Sequence, residues 1–309
     1  MEKSYRIFLC LFFYFPVVFA GNMKLYYERP AEYFEEALVI GNGTMGATLY
    51  GGVKKDKISF NDITLWTGEP ESENSSPDAF NVIPEIRALL DNEDYQGADK
   101  AQYKVQGHYS ENYQPLGTLT IEYLDDTAGI SDYHRWLDIG NATARTQYLK
   151  DGKLFTSDYF ASAPDSVIVI RLKSENKEGI HASLSFDSPL PHSSQVADNE
   201  ISVEGYAAYH SFPVYYKEED KHRYDPERGI HFKTLVRVLS VDGSVRNRYS
   251  DSRIEIDGST EVLILIANVT SFNGFDKDPV KEGRNYRSHV EKRMKCAIGK
   301  TYDLSLIHI

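Results

Sequence analysis

Residues 41–46 read Gly41-Asn42-Gly43-Thr44-Met45-Gly46, a G-x-G-x-x-G spacing set directly after the apolar run Ala37 to Ile40, with Asp62 further on. In a dinucleotide site such glycines let the backbone approach a pyrophosphate. A helix then offers its N-terminus, and an acid about 20 residues downstream binds the ribose. The helix decides the matter. After Gly46 the chain reads ATLYGGVKKDKISFND, with Gly51-Gly52 where a helix would continue and β-branched Thr48, Val53 and Ile58 around them. Residues 37–65 therefore read strand, glycine turn, strand, turn, strand, and nucleotide binding drops out. Gly41, Gly43 and Gly46 then serve geometry, either a positive φ or a close backbone contact.

Other chemistries find less support. The acids Asp62, Glu69, Glu71, Asp125, Asp126, Asp138 and Asp158 fit turns, caps or solvated faces. The nine histidines lack metal-ligand spacing, and no G-x-S-x-G elbow or P-loop occurs. Cys10 lies in the N-terminal apolar run, so one cysteine, Cys296, is left to the mature chain, with no intrachain disulfide and no thiolate site. No catalytic constellation, metal site or cofactor is expected.

The elements that must position any site are mostly strands. Thr118 to Tyr123 alternates with period two, and Thr143–Leu149 and Leu154–Phe160 flank a turn at Asp151-Gly152. Ser166–Leu172 is a buried-strand run, and Ile180–Phe186 alternates again. Asp242-Gly243 and Asp257-Gly258 separate three more strand-like runs, Phe232–Val241, Val245–Ile256 and Val262–Val269. So many strands at short intervals predict a mainly β fold, a large antiparallel β-sandwich. A small helical insertion interrupts it: a helix from Asn81, as capping residue, to Leu90 with Pro84 in its first turn, then a weaker one over Asp94–Tyr103. Segments 72–80 and 215–229 are polar and loop-like.

The net charge of −12 argues against a nucleic-acid or anionic-membrane partner and leaves neutral polymers such as glycans open. The 22 tyrosines suit strand faces and can also stack on sugars. At the N-terminus MEKSYR precedes the apolar run IFLCLFFYFPVVFA, which ends at Val18-Phe19-Ala20. This predicts a signal peptide over residues 1–20, cleaved near Ala20, and an exported, periplasmic or secreted protein. The run is short for a membrane span.

The stretch that carries the glycines also carries a family likeness. Gly41-Asn42-Gly43-Thr44-Met45-Gly46-Ala47, Gly51-Gly52 and Asn61-Asp62-Ile63-Thr64-Leu65-Trp66-Thr67-Gly68-Glu69-Pro70 resemble the N-terminal domain of glycoside hydrolase family 95, with Asp62 at the place of a usual Glu. The likeness continues in Tyr113-Gln114-Pro115-Leu116-Gly117, in Tyr133-His134-Arg135-Trp136-Leu137-Asp138, and in Phe155 to Asp165, where Ser157 replaces an Arg. It spans roughly Lys24 to Phe275.

The resemblance implies a three-part enzyme: this sandwich, a helical linker, and an (α/α)6 barrel in which a Glu and an Asp invert an α-L-fucoside or α-L-galactoside. The sandwich is expected over 21–275 and the start of the linker over 276–309, with the barrel and its catalytic residues absent from this chain. The tail LSLIHI reads as translated non-coding sequence or as part of the linker. The fragment itself is expected to be inactive. Its partners are expected to be fucosylated carbohydrate and, within one chain, the catalytic barrel.

Sandwich loops that lean over a barrel mouth would reach the substrate through Asn61, Asp62, Trp66, Tyr113 and Gln114. Trp66 would stack on a ring, and Asn61 and Gln114 would bond hydroxyls. The competing reading makes Trp66 a core anchor, Asn61 and Asp62 a tight turn and Gln114 a loop brace. Trp136 reads as core. Two other roles stay open: a stand-alone carbohydrate-binding module, and a purely structural buttress.

Overall fold

The computed structural model describes residues 23–70, 78–107, 109–300 and 302. The signal-peptide expectation, most of segment 72–80 and the LSLIHI tail lie outside these residues. The described strands are β1 (Lys24–Tyr27), β2 (Leu38–Gly41), β3 (Met45–Leu49), β4 (Lys55–Asp62), β5 (Gly117–Tyr123), β6 (Ile130–Asp138), β7 (Thr143–Lys150), β8 (Lys153–Ser162) and β9 (Val167–Ser174). They continue with β10 (Ile180–Asp187), β11 (His192–Ala197), β12 (Glu200–Tyr206), β13 (His210–Ser211), β14 (His222–Arg223), β15 (His231–Ser240), β16 (Ser244–Arg248), β17 (Arg253–Ser259) and β18 (Glu261–Thr270). The α-helices described are α1 (Ala79–Asp91), α2 (Tyr95–Gln102) and α3 (Tyr286–Ile298), with short 3-10 turns at Phe34–Glu36 and Tyr103–Val105.

Two antiparallel sheets face each other, as the alternation predicts. One has nine strands in the order β1-β6-β7-β8-β9-β18-β15-β12-β11, the other seven in the order β16-β17-β10-β5-β4-β3-β2. The core between them is built from inward positions such as Ile58, Phe60, Leu119 and Ile121 on one sheet and Ile168, Ile170, Val236 and Ile264 on the other. The central strands of the larger sheet are buried on both faces, which explains their unbroken apolar runs. Their outer face, including Phe160, Val169, Leu235 and Ala267, is covered by α3 through Tyr286, Val290, Met294 and Ala297, one helical stripe.

The hairpin between β7 and β8 has the turn its sequence predicts. Asp151 (φ 50°) and Gly152 (φ 74°) both occupy the left-handed region, as a two-residue primed turn needs. A Cβ added at Gly152 would touch nothing within 4 Å, so the conformation alone resists substitution. Gly152→Ala is expected to lower stability by about 1 kcal/mol with no other change, read by urea unfolding.

Three local expectations are corrected. The run Val245–Ile256 is two strands, β16 and β17, reversed at a turn where Ser252 has φ 52°. Asn81 is not the cap of the first helix; α1 starts at Ala79, after Asp78, and Pro84 lies in its interior. Trp136 is not core. A register shift in β6 between Ser131 and His134 leaves Arg135 facing inward and Trp136 outward, near Lys24 and Arg145. Arg135 is almost fully buried; its Nε and Nη1 donate to the carbonyls of Arg29 and Glu36, both at 2.8 Å, and its guanidinium lies over Tyr27. It thereby pins residues 29–36 to the sandwich. The second helix follows its expectation, with Asp94 capping Gly97 N–H.

Candidate functional site

The turns after β2 and β4, and the chain leading into β5, lie at one end of the smaller sheet. The G-x-G-x-x-G segment is the β2–β3 hairpin, paired from Leu38–Leu49 to Gly41–Gly46. Asn42 closes it: its Oδ1 accepts from the N–H groups of Thr44 (3.0 Å) and Met45 (2.8 Å). Its Nδ2 donates to the Ser162 carbonyl of the opposite sheet at 2.9 Å. Gly43 has φ 85°, so its lack of a Cβ is used. A Cβ on Gly41 would sit 3.2 Å from the Met45 carbonyl, whereas one on Gly46 would meet ordinary contacts only. Gly46 instead lines the outer surface.

Asp62 ends β4 and is buried. Its Oδ1 accepts from the N–H (2.9 Å) and hydroxyl (2.6 Å) of Thr64, and its Oδ2 accepts from Asn268 Nδ2 at 2.8 Å. Asn268 Oδ1 accepts in turn from Thr234, and Thr64 Oγ1 meets Thr270 Oγ1 at 2.6 Å. Because the Thr64 proton goes to Asp62, Thr270 is the donor of that pair. Arg293 of α3 donates to the Asn268 carbonyl at 2.8 Å. Burial draws the Arg293 pKa down, and the nearby Asp62 charge partly offsets that. Asp62 therefore ties the turn, β18 and α3 together, and its oxygens face protein donors.

Trp66 and Tyr113 stand beyond this turn. They form an isolated antiparallel bridge, their rings meet edge to face at 5.6 Å, and each is about two-fifths exposed. The Trp66 indole donates to the Ile63 carbonyl at 3.0 Å, which fixes the ring. Burial, then the Asp62 charge, pushes the Tyr113 phenol above its ordinary pKa, so at neutral pH it carries its proton. Asn61 is exposed on the outward side of β4. Gln114 is buried; its backbone N–H donates to Leu65 and its side chain to the Tyr113 carbonyl.

Three of the five sequence candidates thus come together on one surface. Asn61, Trp66 and Tyr113 line a hollow of about 300 Å³ with Gly43, Gly46 and Ile63. Asn61, Tyr113 and Gly46 also border a groove of about 640 Å³ over the outward face of β2–β5. On its other side Trp66 borders a cavity of about 520 Å³ with Glu111, Phe272 and Phe275. Asp62 and Gln114 do not join this surface. The arrangement offers flat rings, an amide and a phenol, a set suited to binding a polyol rather than to proton transfer.

A polar cluster at the edge of the last cavity escaped the sequence reading. Glu111 Oε1 lies 2.8 Å from His210 Nδ1, and its Oε2 takes Thr67 Oγ1 and the Ser211 N–H. His210 Nε2 lies 2.9 Å from the Tyr109 hydroxyl, and Ser211 Oγ lies 2.9 Å from His222 Nδ1. Its members come from three separated segments with no shared motif: β13 pairs with β14, and backbone bonds from Thr67 to Asn112 and from Gly68 to Ala208 bring the segments together. Other acids are similarly engaged: Asp158 takes Arg145 and Arg171. Among the described residues, no group of three His, Cys, Asp or Glu side chains could hold a metal ion.

Comparison with known proteins agrees with this architecture. Alpha-L-fucosidase 2 of Arabidopsis thaliana is 29% identical over 284 residues, 87% of this chain and 34% of that protein. Two proteins named "Probable alpha-fucosidase A" match as well. That of Aspergillus oryzae is 24% identical over 86% of this chain and 36% of its own length; that of Aspergillus niger is 28% identical over 92% and 35%. The chain spans about a third of the length of these relatives. Among solved structures, the "Putative kojibiose phosphorylase from human microbiome" shares the fold, with a TM-score of 0.50 at 10% identity, over 92% of this chain and 36% of that one. The family model that matches, over residues 25–274, is that of family 65 rather than the family 95 resembled by the motifs. With that match running from β1 to just beyond β18, the chain belongs to the family described as glycosyl hydrolase family 65, N-terminal domain.

Proposed function

We propose that this chain is the N-terminal, non-catalytic sandwich of an exported inverting α-L-fucosidase of the family 95 type. The observation that carries the reading is that three separate relatives named for fucosidase activity align across nearly the whole sandwich. The site is consistent with it: Asn61, Trp66 and Tyr113 present sugar-binding chemistry, while Asp62, Glu111 and Asp158 are engaged in structural bonds. In this reading the rim borders the substrate and the hydrolytic carboxyl pair belongs to a barrel encoded by the same gene. An α-L-galactosidase with the same architecture is the second reading, since the two sugars differ only at C6.

The test pairs two proteins with two substrates. The purified 309-residue chain is expected to release nothing from aryl α-L-fucoside or aryl α-L-galactoside. The full-length gene product is expected to cleave the fucoside faster. Turnover by the 309-residue chain, or full-length protein inert on both substrates, overturns the proposal; a preference for the galactoside moves it to the second reading. N-terminal sequencing of the exported protein is expected to begin near Gly21.

A further inference from the structure

The groove over the outward face of β2–β5 has a composition that a rim contact does not explain. Its floor is made of small hydroxyl-bearing residues, Thr48 on β3, Ser59 on β4 and Thr118 on β5, brought side by side by the strand register. Ser59 and Thr118 share one hydrogen bond at 3.0 Å. Thr48 is only 9% exposed, and its Oγ1 has no hydrogen-bond partner. A buried hydroxyl left unmet is costly, and native structures seldom keep one without use. Thr48 lines the groove, so a ligand seated there is within reach of a hydroxyl that one χ1 step would re-aim.

The walls complete a pattern. Tyr113 closes one side and Phe34, well exposed, the other. Such rings receive the C–H face of a pyranose, while hydroxyls and the Asn61 amide, which makes no side-chain hydrogen bond among the described residues, meet its edge. Among the described residues no Lys, Arg or His lines the groove, and the one charge there is Asp187. Phosphate, sulfate and uronate ligands are therefore disfavoured, and a neutral polyol is not. The volume of about 640 Å³ falls within the roughly 300–1,000 Å³ of small-ligand sites.

We propose that this groove binds a neutral oligosaccharide on the sheet face itself, with Thr48 and Asn61 as hydrogen-bonding residues and Tyr113 and Phe34 as stacking walls. The proposal goes beyond the fucosidase reading and does not require it, since the groove belongs wholly to this chain.

Saturation-transfer NMR and titration calorimetry on the 309-residue chain test it, with cellotetraose, 2′-fucosyllactose and tetragalacturonate as probes. Saturable binding of at least one neutral glycan is expected, with tetragalacturonate weaker. Thr48→Val and Asn61→Ala are each expected to weaken it by roughly three- to tenfold, the worth of one hydrogen bond. The Thr48→Val unfolding temperature should not fall, because the lost hydroxyl had no partner. Ser183→Ala, which removes another unpartnered buried hydroxyl outside the groove lining, should bind as wild type. Absence of saturable binding, tighter binding of tetragalacturonate, or unchanged affinity in both Thr48→Val and Asn61→Ala overturns the proposal. Cellotetraose bound without 2′-fucosyllactose upholds the groove and counts against a fucosylated substrate. Fucoside hydrolysis by the full-length protein without any binding here leaves the enzyme reading intact and removes this one.

Discussion

Asp62→Ala is expected to destabilise the domain by about 3–5 kcal/mol, because it strips the acceptor from three donors at once, one of them the fully buried Asn268 amide. The Thr64 N–H and hydroxyl and the Asn268 amide all point at its carboxylate, which is itself buried. For a domain of this size that corresponds to a fall of roughly 10 °C in Tm. Asp62→Asn keeps one acceptor oxygen and should lose less. The turn that Asp62 anchors also holds Trp66, whose indole is bonded to Ile63. Tryptophan emission should therefore shift in the folded variant. If Asp62 were a substrate contact and nothing more, Asp62→Ala would unfold at the wild-type temperature, and that outcome would refute the structural assignment.

Asp56→Asn is expected to change how stability depends on pH. Asp56 is almost wholly buried between the sheets, where Tyr159 donates to Oδ2 at 2.8 Å and the Gly52 N–H to Oδ1 at 2.9 Å. Burial raises its pKa from 3.8 to about 6, against the lowering effect of those donors. The folded state thus binds the proton more tightly than the unfolded chain. Stability from this group is fully present below about pH 3.8 and is lost as pH rises through about 6. Above that the buried charge costs on the order of 3 kcal/mol. Measured as a difference, the unfolding free energy of Asp56→Asn minus that of wild type should rise by about this much between about pH 4 and about pH 8. A flat difference would show that burial does not raise the Asp56 pKa above its value in the unfolded chain.

Much of this architecture is written in local signals. Asp151-Gly152 demands its primed turn, and Gly51-Gly52 rules out a helix after Gly46, so the meander and the hairpin follow from a few residues each. The α3 stripe was harder to read. Tyr286, Val290, Met294 and Ala297 sit in a strongly basic helix, and only the apolar outer face of the larger sheet shows what they cover. The site was legible in part. Types and order selected Asn61, Trp66 and Tyr113, but the same evidence selected Asp62 and Gln114, because a sequence does not say whether a polar side chain faces donors of its own fold or open surface. Arg135 and Trp136 were inverted by a one-register irregularity in β6, which no alternation reveals. Thr48 and Ser59 were invisible for a related reason: each is unremarkable alone, and only strand register joins them.

The pairing of β9 with β18 has a consequence for how the chain is made. Strands β6 to β9 join successive neighbours, so that meander can zip as soon as it leaves the ribosome. Strand β9 then waits, because its other partner, as in Ile170 with Ile264, arrives about a third of the chain later. During that interval an apolar edge, VIVIRLKS, has unpaired backbone groups, and its outward face stays bare until α3 emerges later still. Such long-range closure slows folding and leaves an edge open to other chains. The nascent domain is therefore most vulnerable to aggregation between the completion of β9 and the docking of α3, and truncations that end within that window should be recovered largely as insoluble protein.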